Sequence, residues 1–407
     1  MMTLCRWVCG VMLWVLISAA PSVQAQTLAQ TLAQSSQTDV TKAAQAGQAD
    51  AQFALAVRLL EGNGVLQDFA AAAEWMEKAA QQGHVAAANR LGQMFHDGIG
   101  TQQDRASALT WLAKAAASGN SQFLYEYGVV LEEGAEQDSD IAKAATLYRQ
   151  AADQGHLTAA VSLAVLLQAG RGVPKDLPAA LAIYEQAAEH GSAQAQNNLG
   201  LMYVRGEGVD LDYNRAFELF EAAAAQGLPV ATGNLAVMYE NGFGVEINEP
   251  RAKALAIDAA RSASPKGNLA PLYDPRLKPI TVSDATVQAI EAAATAGDPV
   301  AQFQLAWLLI SSQDQSFAQT QKAATLFRMS ADAGYPAAMA NLGVMYFQGQ
   351  AVPQDYVLGQ MWLVLAGAAG FSQALDLNFL MASRMTPSQI SEAQTLAKAR
   401  TTQGKWP

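Results

Sequence analysis

Ala195-Gln196-Asn197-Asn198-Leu199-Gly200-Leu201-Met202-Tyr203, interrupted by Gly206-Glu207-Gly208-Val209 and closed by Gln226-Gly227, is the stretch whose reading decides the fold. Ala195, Leu199, Met202 and Tyr203 fall three and four residues apart, the spacing of one face of an α-helix. Two glycines within three residues then break it. Ala216, Leu219, Phe220 and Ala223 make the apolar stripe of a second helix, which stops at Gly227, where a left-handed C-cap costs glycine little. The unit is a helix pair.

The unit recurs. Gly47, Gly83, Gly119, Gly155, Gly191 and Gly227 stand at a constant step of 36 residues. Gly62, Gly98, Gly134, Gly170, Gly206 and Gly242 form a second ladder with the same step, and Gly297, Gly334 and Gly370 resume the first. Asp68, Asp104, Asp140, Asp176 and Asp212 lie at or near the start of each second helix, where a carboxylate caps free N–H groups and meets the positive end of the helix dipole. A fixed period of this length marks a stacked repeat architecture. The fold expected is all-α, a right-handed α-α superhelix of roughly ten helix-pair repeats of about 36 residues, with one degenerate Pro-rich repeat.

The stretches 195–203 and Ala340-Asn341-Leu342-Gly343-Val344-Met345-Tyr346 resemble the first helix of Sel1-like repeats. Gly170-Arg171-Gly172-Val173-Pro174-Lys175-Asp176 resembles the interhelix loop of that family, and Gln150-Ala151-Ala152-Asp153-Gln154-Gly155-His156 the end of its second helix. Met361-Trp362 through Gly370, then Met385-Thr386-Pro387-Ser388-Gln389-Ile390, resembles the terminal unit of many bacterial members. The resemblance covers the chain from about Thr38. It implies a protein-interaction scaffold: an adaptor, an assembly factor or a regulator of a membrane sensor.

The first 25 residues read differently. Arg6 is their one charge, an apolar run spans Trp7–Ala20, and Val23-Gln24-Ala25 has the small-residue pattern of a cleavage site. This is the layout of a secretory signal peptide. The run is shorter than the ~20 apolar residues a transmembrane helix needs. Both cysteines, Cys5 and Cys9, lie inside this segment. The mature chain would therefore carry no thiol and no disulfide. A periplasmic location is expected, with secretion as the alternative, and no membrane span in the mature chain. Residues 26–39 read as a polar leader, 40–261 as an N-terminal repeat array, 262–283 as a Pro-rich degenerate repeat or hinge, and 284–407 as a C-terminal array with a capping helix. Pro265, Pro271, Pro275 and Pro279 shorten or remove the first helix of the degenerate repeat, because an interior proline loses a hydrogen bond and clashes with the preceding turn.

With 25 Lys and Arg against 36 Asp and Glu the net charge is −11, which disfavours nucleic acid, since phosphate contacts supply most of that affinity. The four histidines (His84, His96, His156 and His190) have no metal-ligand spacing, and His84 and His156 fall where packing or capping explains them. No nucleophile elbow, zinc-protease helix or phosphate loop occurs. No catalytic residue, cofactor or metal is expected. The competing reading, a cell-wall or carbohydrate-directed hydrolase or binding protein, would rest on Glu126, Glu132 and Glu133, with peptidoglycan as its ligand.

Trp75 and Trp111 share a second-helix position with Leu147, Ile183 and Leu219, which indicates packing between repeats. Trp307 lies in a first helix where other repeats have Val57, Gln93, Val165 and Val344, so it is a candidate anchor for a partner. Seven residues after each repeat glycine the first helix carries Ala54, Arg90, Glu126, Ser162, Asn198, Asn234, Gln304 and Asn341. The position is mostly polar and is followed almost always by leucine, which makes it a solvent-facing candidate for contacts with a protein partner.

Overall fold

The computed structural model describes residues 35–402, except 63–64, 134, 136, 264–270, 312–315 and 383. The signal-peptide segment and most of the polar leader lie outside the described residues. The described chain has twenty α-helices and no strand. It divides into two compact units. One comprises the described residues up to Gln103 together with those from Leu269 onward; the other is Asp104–Asn268.

The second unit contains α5 (Arg105–Ala116), α6 (Ser121–Glu133), α7 (Asp138–Ala152), α8 (Leu157–Ala169), α9 (Leu177–Glu189), α10 (Ala193–Arg205), α11 (Tyr213–Ala225), α12 (Pro229–Asn241) and α13 (Glu249–Ala263). Each helix packs on the next in sequence. The stripes expected for α10 and α11 are inside: Ala195, Leu199, Met202, Ala216, Leu219, Phe220 and Ala223 are all buried. Gly200 explains the tightness of the pair. A Cβ there would stand 2.8 Å from the Phe220 ring, so only glycine lets the aromatic ring of the second helix reach the backbone of the first. The deepest second-helix column is thus Met76, Leu112, Tyr148, Tyr184 and Phe220, one residue beyond the column of Trp75 and Trp111. Those two tryptophans are half-buried, with Lys78 Nζ 4.1 Å and Lys114 Nζ 3.8 Å from their ring centroids.

Caps and turns follow the sequence closely. Asp68, Asp104, Asp176 and Asp212 are N-caps whose carboxylates accept backbone N–H groups of the first turn. Asp140 sits inside the first turn of α7 instead, where Gln137 is the N-cap and makes no side-chain cap bond. In the loop Gly242-Phe243-Gly244, Gly244 has φ +66°, and a Cβ would lie 2.3 Å from the carbonyl oxygen of Tyr213. Loop and preceding repeat touch backbone to backbone there, and the positive φ adds a second reason for glycine.

The first unit holds α1 (Gln37–Gln45), α2 (Ala49–Glu61), α3 (Phe69–Gln81) and α4 (Val85–Asp97). It also holds α14 (Asp284–Thr295), α15 (Pro299–Ser311), α16 (Phe317–Asp332), α17 (Pro336–Gln348), α18 (Tyr356–Ala368), α19 (Gln373–Ala382) and α20 (Pro387–Thr402). Its early and late parts meet through a buried cluster of side-chain amides. Gln67 Oε1 accepts from Asn378 Nδ2 (3.1 Å) and Gln394 Nε2 (3.4 Å), and Gln360 donates to Asn378. Gln394 Oε1 accepts the N–H of Phe69 at 3.3 Å, and Lys398 Nζ lies 2.5 Å from Asp68. All four amide side chains are nearly inaccessible. The final helices therefore do more than cover a last repeat; they bind the first interhelix loop.

Between α13 and α14, residues 271–283 contain no helix. Residues 271–274 have no regular secondary structure, and a turn follows in which Leu277 N–H bonds Asp274 C=O at 3.0 Å. Pro271, Pro275 and Pro279 leave residues 271–283 without a helix, and α14 restores the pattern.

Candidate partner-binding faces

The candidate side chains sit on first helices, one per repeat. In the second unit Glu126 on α6, Ser162 on α8, Asn198 on α10 and Asn234 on α12 are all half-buried. Glu126 accepts from Gln122 Nε2 at 2.7 Å. Asn197, which is buried, links two candidates: its Nδ2 donates to Asn198 Oδ1 (3.2 Å), and its Oδ1 accepts from Asn234 Nδ2 (2.8 Å). Three residues beyond this polar row runs an apolar one. Val129 and Leu201 are half-buried, and Val165 and Val237 are 38% and 48% exposed. A spacing of three puts both rows on neighbouring positions of one helix surface. This face is polar and apolar in parallel stripes, and open.

In the first unit Arg90, on α4, is half-buried and donates to Gln93 Oε1 at 3.2 Å. The other three candidates, Gln304 and Trp307 on α15 and Asn341 on α17, converge on the Pro-rich segment. Asn341 is 3% exposed, which corrects the expectation that it faces solvent. The reason is the chain itself. Asn341 Oδ1 accepts the N–H of Leu272 at 2.9 Å, while its Nδ2 donates to the carbonyl of Leu272 at 2.8 Å and to that of Ala337 at 2.8 Å. One amide side chain thus grips both backbone polar groups of one residue.

The following residues complete the contact. Tyr273 meets the Trp307 ring edge-on, with centroids 4.7 Å apart, and lies 5.9 Å from Phe303. Gln304 Nε2 reaches Tyr273 Oη at 3.5 Å. Asp274, 1% exposed, accepts from Tyr335 Oη at 2.6 Å and from the fork of Arg276 at 2.7 and 2.9 Å. Burial would raise the Asp274 pKa, but these bonds outweigh it and hold the carboxyl below its ordinary range. The Nε1–H of Trp307 is buried with no hydrogen-bond partner among the described residues.

The sequence named Gln304, Trp307 and Asn341 but missed Leu272, Tyr273, Asp274 and Tyr335. The clue was there: prolines at 271, 275 and 279 forbid a helix and favour an extended chain.

The histidines have structural duties. His84 and His156 are N-caps of α4 and α8; each Nδ1 accepts a backbone N–H, from Ala87 and Ala159, at 3.1 Å. His84 stacks on Phe53 and His156 on Tyr125. Burial lowers both pKa values; for His84 the nearby Asp50 pulls weakly the other way. Glu132 accepts from Tyr148 Oη (3.0 Å) and pairs with Arg171 (3.2 Å). Among the described residues no group of three or more His, Cys, Asp or Glu could hold a metal ion, and no helix is long and apolar enough to cross a membrane.

The Sel1 repeat pattern matches eight segments: 49–84, 85–120, 121–156, 158–192, 193–228, 229–264, 299–335 and 336–371. The chain belongs to the Sel1-repeat family. The interval the pattern skips is the Pro-rich segment and α14. Among solved structures, a protective antigen of uropathogenic Escherichia coli strains displaying an SLR fold is 25% identical, with a TM-score of 0.51, over 91% of this chain and 96% of its own. A Sel1 repeat protein from Oxalobacter formigenes is also 25% identical, with a TM-score of 0.50, over 63% of this chain and 95% of its own. No curated protein matches the sequence. Sel1-repeat proteins are generally protein–protein interaction scaffolds and typically non-catalytic.

Proposed function

We propose that this Sel1-repeat protein is an exported scaffold of the bacterial envelope, periplasmic in location, that holds an extended segment of a partner protein along the first-helix face of residues 121–241. The observation that carries the reading is the grip of Asn341 on both backbone groups of Leu272. Asn198 and Asn234 occupy the same place in their own repeats, seven residues after the repeat glycine. There they stand beside an apolar row in which Val165 and Val237 are exposed and Leu201 is half-buried. Backbone bonds from such a row tolerate many sequences, and the apolar row supplies buried area and preference. The −11 charge fits a protein or peptide partner better than an anionic polymer.

The test is site-specific photocrosslinking in envelope extract, with a benzophenone residue in place of Val165, Val237 or, as a control, Glu221, which is exposed on a second helix. Crosslinks from positions 165 and 237 to one extended region of a single protein, abolished by Asn198→Ala with Asn234→Ala, support the reading. Equal crosslinking from position 221 refutes the face. Fractionation with N-terminal sequencing tests export; a chain retained in the cytoplasm with Met1 intact refutes it.

A further inference from the structure

Residues 271–276 lie on the first-helix face of α15 and α17 in the manner of a bound peptide. Both backbone polar groups of Leu272 are held by Asn341, one aromatic side chain is set against Trp307 and Phe303, and the next carboxylate is received by Tyr335. The register is the one occupied by Asn198 and Asn234 on the open face. Yet the fit is incomplete. The buried indole N–H of Trp307 finds no acceptor among the described residues, and a buried unpaired donor is unfavourable. A built occupant that leaves a donor unpaired can be bettered.

We propose that this segment is a resident stand-in, displaced by an external extended peptide that carries an aromatic residue followed by an acidic one and offers an acceptor to Trp307. The grip of Asn341 requires an extended backbone. The ring-lined floor of Phe303 and Trp307 requires the aromatic residue, and the Tyr335 hydroxyl requires the carboxylate. The segment is tethered at both ends, so its effective concentration is in the millimolar range typical of short linkers, and a competitor must overcome that advantage. The covered face is therefore closed to weak ligands and open to a well-matched one. This inference extends the scaffold reading to a second face, and its test uses different residues.

The probe is a fluorescein-labelled peptide with the sequence of residues 271–281, titrated against the full mature chain by fluorescence polarisation. Tyr273→Gly with Asp274→Ala loosens the resident segment and should raise affinity for the probe at least ~10-fold over the unaltered chain. Adding Asn341→Ala to that variant should abolish the gain, and Asn198→Ala with Asn234→Ala should leave it unchanged. A loosened variant with normal helical circular dichroism that binds the probe no better overturns the proposal. Should that variant fail to fold, amide exchange in the unaltered chain decides. Saturating probe should speed exchange of the Leu272 N–H at least ~10-fold, and an unchanged rate overturns the proposal just as firmly. Loss of probe binding with intact crosslinking at positions 165 and 237 would refute this inference alone.

Discussion

The first-helix face of α15 and α17 and that of α8, α10 and α12 are built from the same repeat, yet one is covered and the other open. The difference lies in a few residues. Six positions after the repeat glycine, α15 has Phe303, fully buried, where α10 has Asn197 and α12 has Gly233. Ten positions after it, α15 has Trp307 where α8 has Val165 and α12 Val237. Large rings create a floor that an extended chain with its own ring can use, and the Pro-rich segment supplies that chain. With small and polar residues at the same places, Val165 and Val237 stay 38% and 48% exposed among the described residues. On α15 the rings at these two positions mark the covered face, while its neighbour α17 has Ala340 and Val344 there.

The largest expected effect breaks the covered face from below. Phe303→Ala removes a buried ring that touches Tyr273, Phe327 and Tyr335, and should cost about 3–5 kcal/mol in urea denaturation. Asn341→Ala comes next. It strands the N–H and C=O of Leu272, and the expected loss is about 2–4 kcal/mol, since each buried unpaired group costs about 1–3 kcal/mol and the effects overlap. Asn234→Ala, its counterpart on the open face, should cost under about 1 kcal/mol, because that side chain is half-buried and makes one bond, to Asn197. Equal losses at 341 and 234 would erase the contrast between the faces.

Acidification should act on both units in the same way. His84 and His156 cap helices through an unprotonated Nδ1, and burial depresses both pKa values. The unfolded chain therefore takes up these protons first. The caps contribute fully above the ordinary imidazole value of about 6.5, and their contribution is lost as pH falls from there through the depressed folded values. Each cap is worth about 1 kcal/mol, so the melting temperature should fall between pH 7.5 and 5.5, and His84→Asn with His156→Asn should flatten the slope. The smallest effect has the opposite sign. Gly233 is helical, and a Cβ there meets nothing nearer than Ala259 at 4.0 Å. Gly233→Ala should raise stability by about 0.5–1 kcal/mol and sharpen the open face without filling it.

The repeat, its helices and most of its caps were readable because they depend on local rules. Glycine ladders at a constant step, apolar stripes at helical spacing and aspartate at helix starts each specify a neighbour close in sequence. Gln304, Trp307 and Asn341 were readable as polar or aromatic departures from the repeat. What covers them was not, since Leu272 and Asn341 meet only through packing 69 residues apart. Gln67 was invisible for the same reason. An amide in a loop reads as solvated until Asn378 and Gln394 arrive from the far end of the sequence. The column of Trp75 and Trp111 reads as a packing layer, while the deepest layer runs one residue further on, where Gly128 and Gly200 admit the rings of Tyr148 and Phe220.

The amide cluster around Gln67 also bears on time. In an open stack of repeats each unit needs only its neighbours, so it can fold as soon as the next one is made. Here the loop that Gln67 anchors is satisfied by side chains synthesised more than three hundred residues later. Until Asn378 and Gln394 appear, Gln67 keeps its Nε2 bond to the Leu60 carbonyl (2.7 Å) but its Oε1 lacks these two side-chain donors. The first repeats must wait for the last, and the cost of closing so long a loop falls on the slowest stage of folding. An early part that stays incomplete until the final helix is made is a built-in delay.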